Sequence, residues 1–339
     1  MRSAQTLFMI AVLSLSAALC LLECRNQLCD RKLPGFSRTL ELYVRPDTPA
    51  EEVLDSLRSA ARRPRRIAGL SEREGVDFRV GHYVIEPENT AVYALRALRC
   101  GWQTPVRLTL SGALRRRGDI ARKISAQMLV DSAEVRAAMD SSALLERFGL
   151  EPESVFALFL PDTYEAYWTE SVVEIFEREA RAVDAFWTEE RLEKARSLRL
   201  DRRRATILAS IVQSETNHTP EMPRIAGVYE NRLRIGMKLQ ADPTIAFCYD
   251  YDLKRILKSN LRVRSPYNTY LNYGLPPAPI CSPSREALEA VLNPDFGSGN
   301  LYFCADPSFN GTHRFARTYR EHQKNAREFQ KALNNRKNG

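Results

Sequence analysis

The 339-residue sequence has few of the residues that mark disordered, collagen-like or disulfide-built proteins. It contains 15 Gly and 18 Pro, too few for a collagen or a low-complexity chain. Its seven cysteines show no metal-ligand spacing, and their density is too low for a fold built on disulfides. No internal repeat is present. We therefore expect two or three globular domains with a sizeable core, and neither a metal nor a cofactor.

The sequence has a modest excess of positive charge. Lys and Arg number 50 against 42 Asp and Glu, a net charge of +8. This surplus favours an anionic partner such as nucleic acid, anionic lipid or an acidic polymer, without choosing among them. Arginines cluster at residues 62–66, 115–117 and 202–204, and we interpret each run as a solvated face.

A hydrophobic segment stands at the N-terminus. Residues 6–22 carry no charge and follow a single Arg2. As a helix, these 17 residues would span about 25 Å, just short of the ~30 Å hydrocarbon core. A retained anchor and a signal peptide cleaved near residues 16–18 both remain open. The counts of Lys and Arg on either side do not decide the orientation, but such a segment usually exports the domain that follows, which argues against nucleic-acid binding.

The remaining sequence predicts an α+β fold. After the membrane segment (1–22) and a short linker (23–36), residues 37–112 alternate strand-like and helix-like patterns as a β-α-β-α-β module. A mostly helical connecting region follows (113–200). The last region (201–339) carries the densest polar and aromatic motifs and is the expected catalytic domain.

One carboxylate falls on an apolar helix face. Residues 204–216 have a helical pattern in which Ile207, Leu208, Ile211 and Val212 form a stripe, and Glu215 lies in the middle of it. Desolvation there would raise the pKa of the carboxyl group, as a general acid for glycosidic cleavage requires. The alternative is structural: the side chain ends its helix and turns to water, or pairs with an arginine such as Arg232.

Two polar and aromatic segments follow this helix. Gln240 and Asp242 come just after a helix that we expect to end at Gly236, and residues 265–284 combine tyrosines and asparagines with five prolines. Aromatic faces with amides on a stiff loop suit sugar rings, although a structural Pro-rich turn would have the same composition. Asn310 and Gly311 predict a hairpin that places His313 on a strand.

Together these segments resemble the endolytic murein transglycosylases, the YceG-like family. The resemblance extends over most of the chain beyond residue 37, with GHYVIEPENT (81–90) inside that family's LysM-like subdomain, here 37–112. The motifs that carry it are ASIVQSET (209–216), VYENRLRIGMKLQADPT (228–244), SPYNTYLNYGLPPAPI (265–280), LYFCAD (301–306) and FLPDTY (159–164).

The resemblance implies an enzyme anchored by one helix in the cell inner membrane, with its catalytic domain on the periplasmic or outer face. It would cut nascent peptidoglycan between N-acetylmuramic acid (MurNAc) and N-acetylglucosamine (GlcNAc), leaving 1,6-anhydro-MurNAc ends. Peptidoglycan synthases are candidate partners, and nucleic acid is not expected. Glu215 matches the family's catalytic acid. The substrate-binding positions are Asn231, Gln240, Asp242, Tyr267, Asn268, Tyr270 and His313.

Two departures from the family pattern are present. Gln213 stands where a second Glu is common, which removes a competing proton donor, and Phe247-Cys248 replaces a common Tyr-Gly pair. Two other functions fit the same motifs: a hydrolase of the same glycan with Glu215 as acid and Asp242 as base, and a non-catalytic peptidoglycan-binding scaffold.

Overall fold

The protein is described from a computed structural model that covers residues 2–112, 114–297 and 299–338. These residues form many helices and three two-stranded sheets. This combination of helices and sheets confirms the predicted α+β class. The strands are β1 (Leu40–Val44), β2 (Gly81–Ile85), β3 (Val106–Thr109), β4 (Thr163–Ala166), β5 (Tyr302–Ala305) and β6 (His313–Ala316). The α-helices are α1 (Arg2–Lys32), α2 (Ala50–Ala60), α3 (Pro64–Glu74), α4 (Ala91–Cys100), α5 (Arg117–Ser125), α6 (Ser132–Asp140), α7 (Ser142–Leu145), α8 (Val172–Phe186), α9 (Glu189–Ser197), α10 (Arg202–Glu215), α11 (Met222–Arg234), α12 (Asp242–Cys248), α13 (Arg285–Leu292) and α14 (Tyr319–Asn338).

The chain divides into two compact units. The first comprises the chain up to Arg107 together with residues 165–170, and the second comprises residues 108–164 and the chain from Ser171 onwards. Apart from residues 165–170, the expected connecting region (113–200) and catalytic region (201–339) therefore lie in the same compact unit. Their separation into functional domains, like the LysM-like character of residues 37–112, stays a prediction.

In the first unit, β1 and β2 pair antiparallel, with Leu40 opposite Ile85 and Val44 opposite Gly81. Helix α2 packs against β1 and helix α4 against β2, and α3 packs against both helices, around a core that includes Leu57, Leu95 and Leu98, all fully buried. The β-α-β-α-β order predicted for residues 37–112 lacked α3, which begins inside the arginine run at 62–66. Strand β3 was predicted correctly, but it pairs with β4 rather than joining the β1–β2 sheet.

Helix α1 is, among the described residues, the one helix long and apolar enough to cross a membrane. Its hydrophobic side chains are exposed over residues 7–22. The segment expected to be a linker continues this helix to Lys32 and is held to α3 by ion pairs. Arg66 binds Asp30 at 2.7 Å and Arg73 binds Glu23 at 3.0 Å. Length and composition suit a single-pass anchor.

The second unit is built around α10. This helix packs against α11, α12 and α13, and its residues from Ala205 to Val212 are all buried. Gly227 lets α11 approach the chain after α13 closely, because a Cβ at this position would lie 2.1 Å from the Asp295 carbonyl oxygen. The core of this unit therefore surrounds the helix that ends in Glu215.

Candidate active site

Helix α10 is a buried helix that ends at a carboxylate. The Asp201 side chain caps its start by accepting a hydrogen bond from the Arg204 backbone N–H at 2.7 Å. Thr216 is extended, so Glu215 is the last helical residue. Packing on all sides keeps this helix in place, which fixes the position of the Glu215 carboxyl group at its end.

The Glu215 carboxyl group is half-buried and lies in an environment that disfavours its charge. Burial raises the pKa of Glu215 to about 7; the Tyr229 hydrogen bond and Arg232 oppose this rise, and the charge of Asp242 adds to it. The helix C-terminus also disfavours a negative charge. At neutral pH the group is therefore divided between its protonated and ionised forms.

Tyr229 on α11 donates a hydrogen bond from its hydroxyl to Glu215 Oε1. Its ring is 1% exposed and packs edge-on against Phe303 of β5, with 5.9 Å between ring centroids. Tyr229 was not predicted from the sequence. The available signal was a tyrosine among the buried apolar positions of α11, since a buried hydroxyl needs a polar partner.

Arg232 does not pair with Glu215, which excludes that part of the structural alternative. Its guanidinium is buried and donates to two backbone carbonyls, that of Leu301 at 2.6 Å and that of Leu239. Burial lowers the pKa of Arg232, although an arginine stays charged at any physiological pH. The residue thus joins α11 to the segment before α12 and to the start of β5, and supplies positive charge near Glu215.

Gln240 and Asp242 follow the predicted helix stop. The stop is confirmed: α11 ends at Arg234, and Gly236 has a φ of 66°. Gln240 has a φ of 48°, and its backbone N–H donates to the Thr269 carbonyl at 3.1 Å. Both side chains are exposed. Asp242 therefore presents a solvent-accessible carboxylate whose charge acts on Glu215.

The loop at 265–284 holds this carboxylate from the other side. The Tyr270 hydroxyl donates to Asp242 Oδ1 at 2.5 Å, and burial, together with this hydrogen bond, raises the pKa of Tyr270. Tyr267 is half-buried, with its ring 4.6 Å from that of Phe247. Asn268 is fully buried: its amide donates to the carbonyls of residues 261 and 263 and accepts from the Tyr270 N–H. The Asn268 side chain thus holds the loop in shape.

The two remaining predicted residues make contacts inside the protein. Asn231 donates from its side chain to the Asn300 carbonyl at 3.1 Å. His313 lies on β6, which confirms the predicted hairpin, and its backbone N–H and Nδ1 lie 2.9 and 3.0 Å from the two oxygens of Glu221.

Two carboxylates, Glu215 and Asp242, and two tyrosines, Tyr229 and Tyr270, thus interact through hydrogen bonds and charge within the described residues. Glu215, Asp242 and Tyr270 were predicted from the sequence and Tyr229 was not. Gln240 and Tyr267 lie on the same segments. No His, Cys, Asp or Glu cluster in the described ranges has the makings of a metal site. Glu215 can hold a proton near neutral pH with the Asp242 carboxylate nearby, and such an arrangement can support general acid–base catalysis.

Sequence comparisons identify similar proteins. The chain is 39% identical over 117 residues to an endolytic murein transglycosylase of Bacillus subtilis, and 36% identical over 126 residues to one of Streptococcus pneumoniae. These matches cover 34% and 36% of this chain, and only 32% and 22% of the two relatives. The chain therefore matches about a third or less of the length of these curated relatives.

A structural comparison and a family comparison extend further along the chain. The crystal structure of a YceG-like protein from Listeria monocytogenes superimposes with a TM-score of 0.57 at 23% identity, covering 85% of this chain and 98% of that one. It shares the fold. The sequence model of the YceG-like family matches residues 42–328, most of the chain. The protein belongs to the YceG-like family.

Proposed function

We propose that this protein is an endolytic lytic transglycosylase that cuts the MurNAc–GlcNAc bond of nascent peptidoglycan and leaves 1,6-anhydro-MurNAc ends. The observation that carries the proposal is the Glu215 carboxyl, whose pKa of about 7 results from burial at the end of a packed helix. The names of the curated relatives support the same activity.

Glu215 acts first as an acid. Its protonated carboxyl donates to the glycosidic oxygen while the bond to the muramyl anomeric carbon breaks. The Tyr229 hydroxyl, which donates a hydrogen bond to Glu215 Oε1, orients the Glu215 carboxyl and stabilises the carboxylate left after the proton is donated.

Glu215 then acts as a base. The C6 hydroxyl of the same muramyl residue attacks the anomeric carbon, and the Glu215 carboxylate takes its proton, which returns the enzyme to its starting state. No water is consumed, and the nucleophile is already held by the substrate, an arrangement that supplies several kcal/mol of the barrier reduction. One acid–base group is enough for this sequence of steps.

Substrate contacts are proposed for four exposed and half-buried side chains on the segments that carry Asp242 and Tyr270. Asp242 and Tyr270 interact electrostatically with Glu215, and Gln240 and Tyr267 lie on the same two segments. All four would bind sugar hydroxyls and ring faces. Asn231, Asn268 and His313 are engaged within the protein, and we propose that they hold the hairpin and loop that carry or flank these contacts.

We also propose a location and partners. Helix α1 would anchor the chain in the inner membrane as a single span, with the catalytic region on the periplasmic or outer face, where glycan strands are made. Residues 37–112 would bind glycan as a LysM-like subdomain. Peptidoglycan synthases, which make the substrate, are the expected neighbours.

One observation keeps a second function in consideration. Asp242 is an exposed carboxylate close enough for its charge to act on Glu215, so a hydrolase with Glu215 as acid and Asp242 as base has the two groups it needs. The products separate the two reactions, since hydrolysis leaves reducing ends and transglycosylation leaves anhydro ends that are lighter by one water.

The experiment incubates the 339-residue chain in detergent with un-crosslinked glycan strands and identifies product ends by mass spectrometry, with Glu215→Gln and Asp242→Asn beside the wild type. We expect anhydro ends from the wild type and intact strands from Glu215→Gln. Reducing ends lost in Asp242→Asn would establish the hydrolase. Cleavage by Glu215→Gln at the wild-type rate would overturn the role of Glu215, whereas intact strands from the wild type and from both variants, with strand binding retained, would support the non-catalytic scaffold.

A further inference from the structure

A cavity of about 540 Å³ lies at the opposite end of α10 from Glu215. The first turns of α10 form one wall, α8 forms another, and the chain between α7 and β4 forms the rest. Phe148, Leu158, Val183 and Pro279 give it an apolar lining. This volume falls in the range of sites that enclose small ligands. The cavity is therefore large enough for part of a peptide.

Three guanidinium groups stand at this cavity, and they differ in their partners. Arg147 pairs with Glu177 at 2.8 Å, and Arg202 pairs with Asp184 at 2.7 Å. Arg203 is exposed and makes no ion pair within the described part of the chain. Two carboxylates, those of Glu151 and Asp184, also line the cavity, so its lining has three guanidinium groups against two carboxylates. This excess of one positive charge beside apolar side chains suits a ligand that carries a carboxylate on a small apolar body.

One loop borders both this cavity and the catalytic carboxyl. Pro279 lines the cavity, and the carbonyl of Pro277 accepts a hydrogen bond from Arg203 Nη2 at 2.8 Å. A few residues earlier, Tyr270 of the same loop holds Asp242 beside Glu215. A ligand bound at Glu215 and extending along this loop would reach the cavity.

The distance suits the peptide that peptidoglycan carries. From Arg202 to Glu215, α10 rises about 20 Å at 1.5 Å per residue. A muramyl residue bears a stem peptide of about five residues, which spans at most ~17 Å when extended, in addition to the lactyl group that joins it to the sugar. Its alanine-rich end is small and apolar and finishes in a free carboxylate.

We propose that this cavity binds the carboxylate end of the stem peptide borne by the muramyl unit whose bond is cut at Glu215. Arg203 binds the terminal carboxylate, and the apolar walls cover the alanine side chains. The inference rests on the proposed function, and it makes the stem peptide a determinant of which strands are cut.

The first test measures binding without catalysis. Calorimetry compares the free stem pentapeptide with its C-terminal amide on the 339-residue chain in detergent. We expect the acid to bind about ten times more tightly than the amide, a difference that Arg203→Ala abolishes. Ala180→Trp fills the cavity and should abolish binding of both peptides. Arg181→Ala, an exposed arginine of α8 outside the cavity, is the matched control and should bind as the wild type does.

The second test measures the ratio of kcat/KM for strands with stem peptides to kcat/KM for strands stripped of them by an amidase. We expect this ratio to fall about tenfold in Arg203→Ala and in Ala180→Trp, mainly through KM, and to stay unchanged in Arg181→Ala.

The outcomes separate this proposal from the proposed function. Equal binding of acid and amide, or an unchanged ratio in both cavity variants, overturns the cavity as a peptide site even if strands are cut. Selective peptide binding without strand cleavage would support the cavity as a carboxylate-peptide site and overturn the transglycosylase.

Discussion

Replacing Tyr229 by Phe tests how the protein sets the protonation of Glu215. The substitution removes the hydroxyl that donates to Glu215 Oε1 and keeps the ring, whose edge-on contact with Phe303 needs no oxygen. This hydrogen bond stabilises the carboxylate more than the neutral acid, so it lowers the pKa of Glu215 against the larger effect of burial. Without it, we expect that pKa to rise from its wild-type value of about 7.

The magnitude follows from the strength of such a bond. A hydrogen bond to a charged group contributes about 1.5–3 kcal/mol, and one pH unit corresponds to about 1.4 kcal/mol, so the pKa of Glu215 should rise by about one to two pH units. In the proposed mechanism, the protonated carboxyl is the form that donates to the glycosidic oxygen. The wild-type kcat/KM should therefore fall as the pH rises through about 7, and in Tyr229→Phe this fall should begin one to two units higher.

The assay is the pH dependence of kcat/KM between about pH 5 and 9.5 with a soluble glycan substrate. Tyr83→Phe in the first unit is the control, because it removes the hydroxyl of another buried tyrosine, one that donates to the Arg79 carbonyl. An alkaline limb that stays in place or moves to lower pH in Tyr229→Phe would show that the Tyr229 hydroxyl does not lower the pKa of Glu215. Thermal unfolding of both variants checks that the fold is retained.

Three further predictions concern stability. Burial raises the pKa of Glu179 from 4.5 to about 8, so the protonated form favours folding, and this contribution to stability is lost as the pH rises from about 4.5 through 8. Across this window the unfolding free energy should decline by about 1.4 kcal/mol per pH unit because of Glu179, and Glu179→Gln should remove this part of the decline. Urea titration at several pH values measures it. Gly227→Ala drives a Cβ against the Asp295 carbonyl and should cost about 1–3 kcal/mol, seen as a lower Tm in calorimetry; an unchanged Tm would mean that the close approach is not required. Arg232→Met leaves the Leu239 and Leu301 carbonyls without their buried donor and should cost about 2–4 kcal/mol by urea unfolding, whereas a neutral effect would contradict its assigned role.

Features set by neighbouring residues could be predicted from the sequence. The α10 pattern, the helix stop at Gly236 and the hairpin at Asn310 and Gly311 were all correct, because each depends on residues a few positions apart. The placement of Glu215 on a desolvated position also followed from helical periodicity, and the raised pKa agrees with it.

Features set by tertiary packing could not be predicted in this way. Tyr229 reaches Glu215 from another helix, and no local pattern relates the two. Asn268 has the composition of a sugar-binding amide, yet its donors and acceptor are used within its own loop. Strand β3 was recognised, but its partner β4 lies more than fifty residues away. In each case the missing information was which distant segment would pack against a correctly recognised one.

We propose that Glu215 promotes attack on the anomeric carbon by the substrate's own C6 hydroxyl and not by water. This is tested by cleaving un-crosslinked glycan strands in ¹⁸O-enriched water and identifying the new muramyl ends by mass spectrometry. We expect anhydro ends without ¹⁸O from the wild-type chain and no new ends from Glu215→Gln. Reducing ends that carry ¹⁸O would contradict it and assign the nucleophile to water.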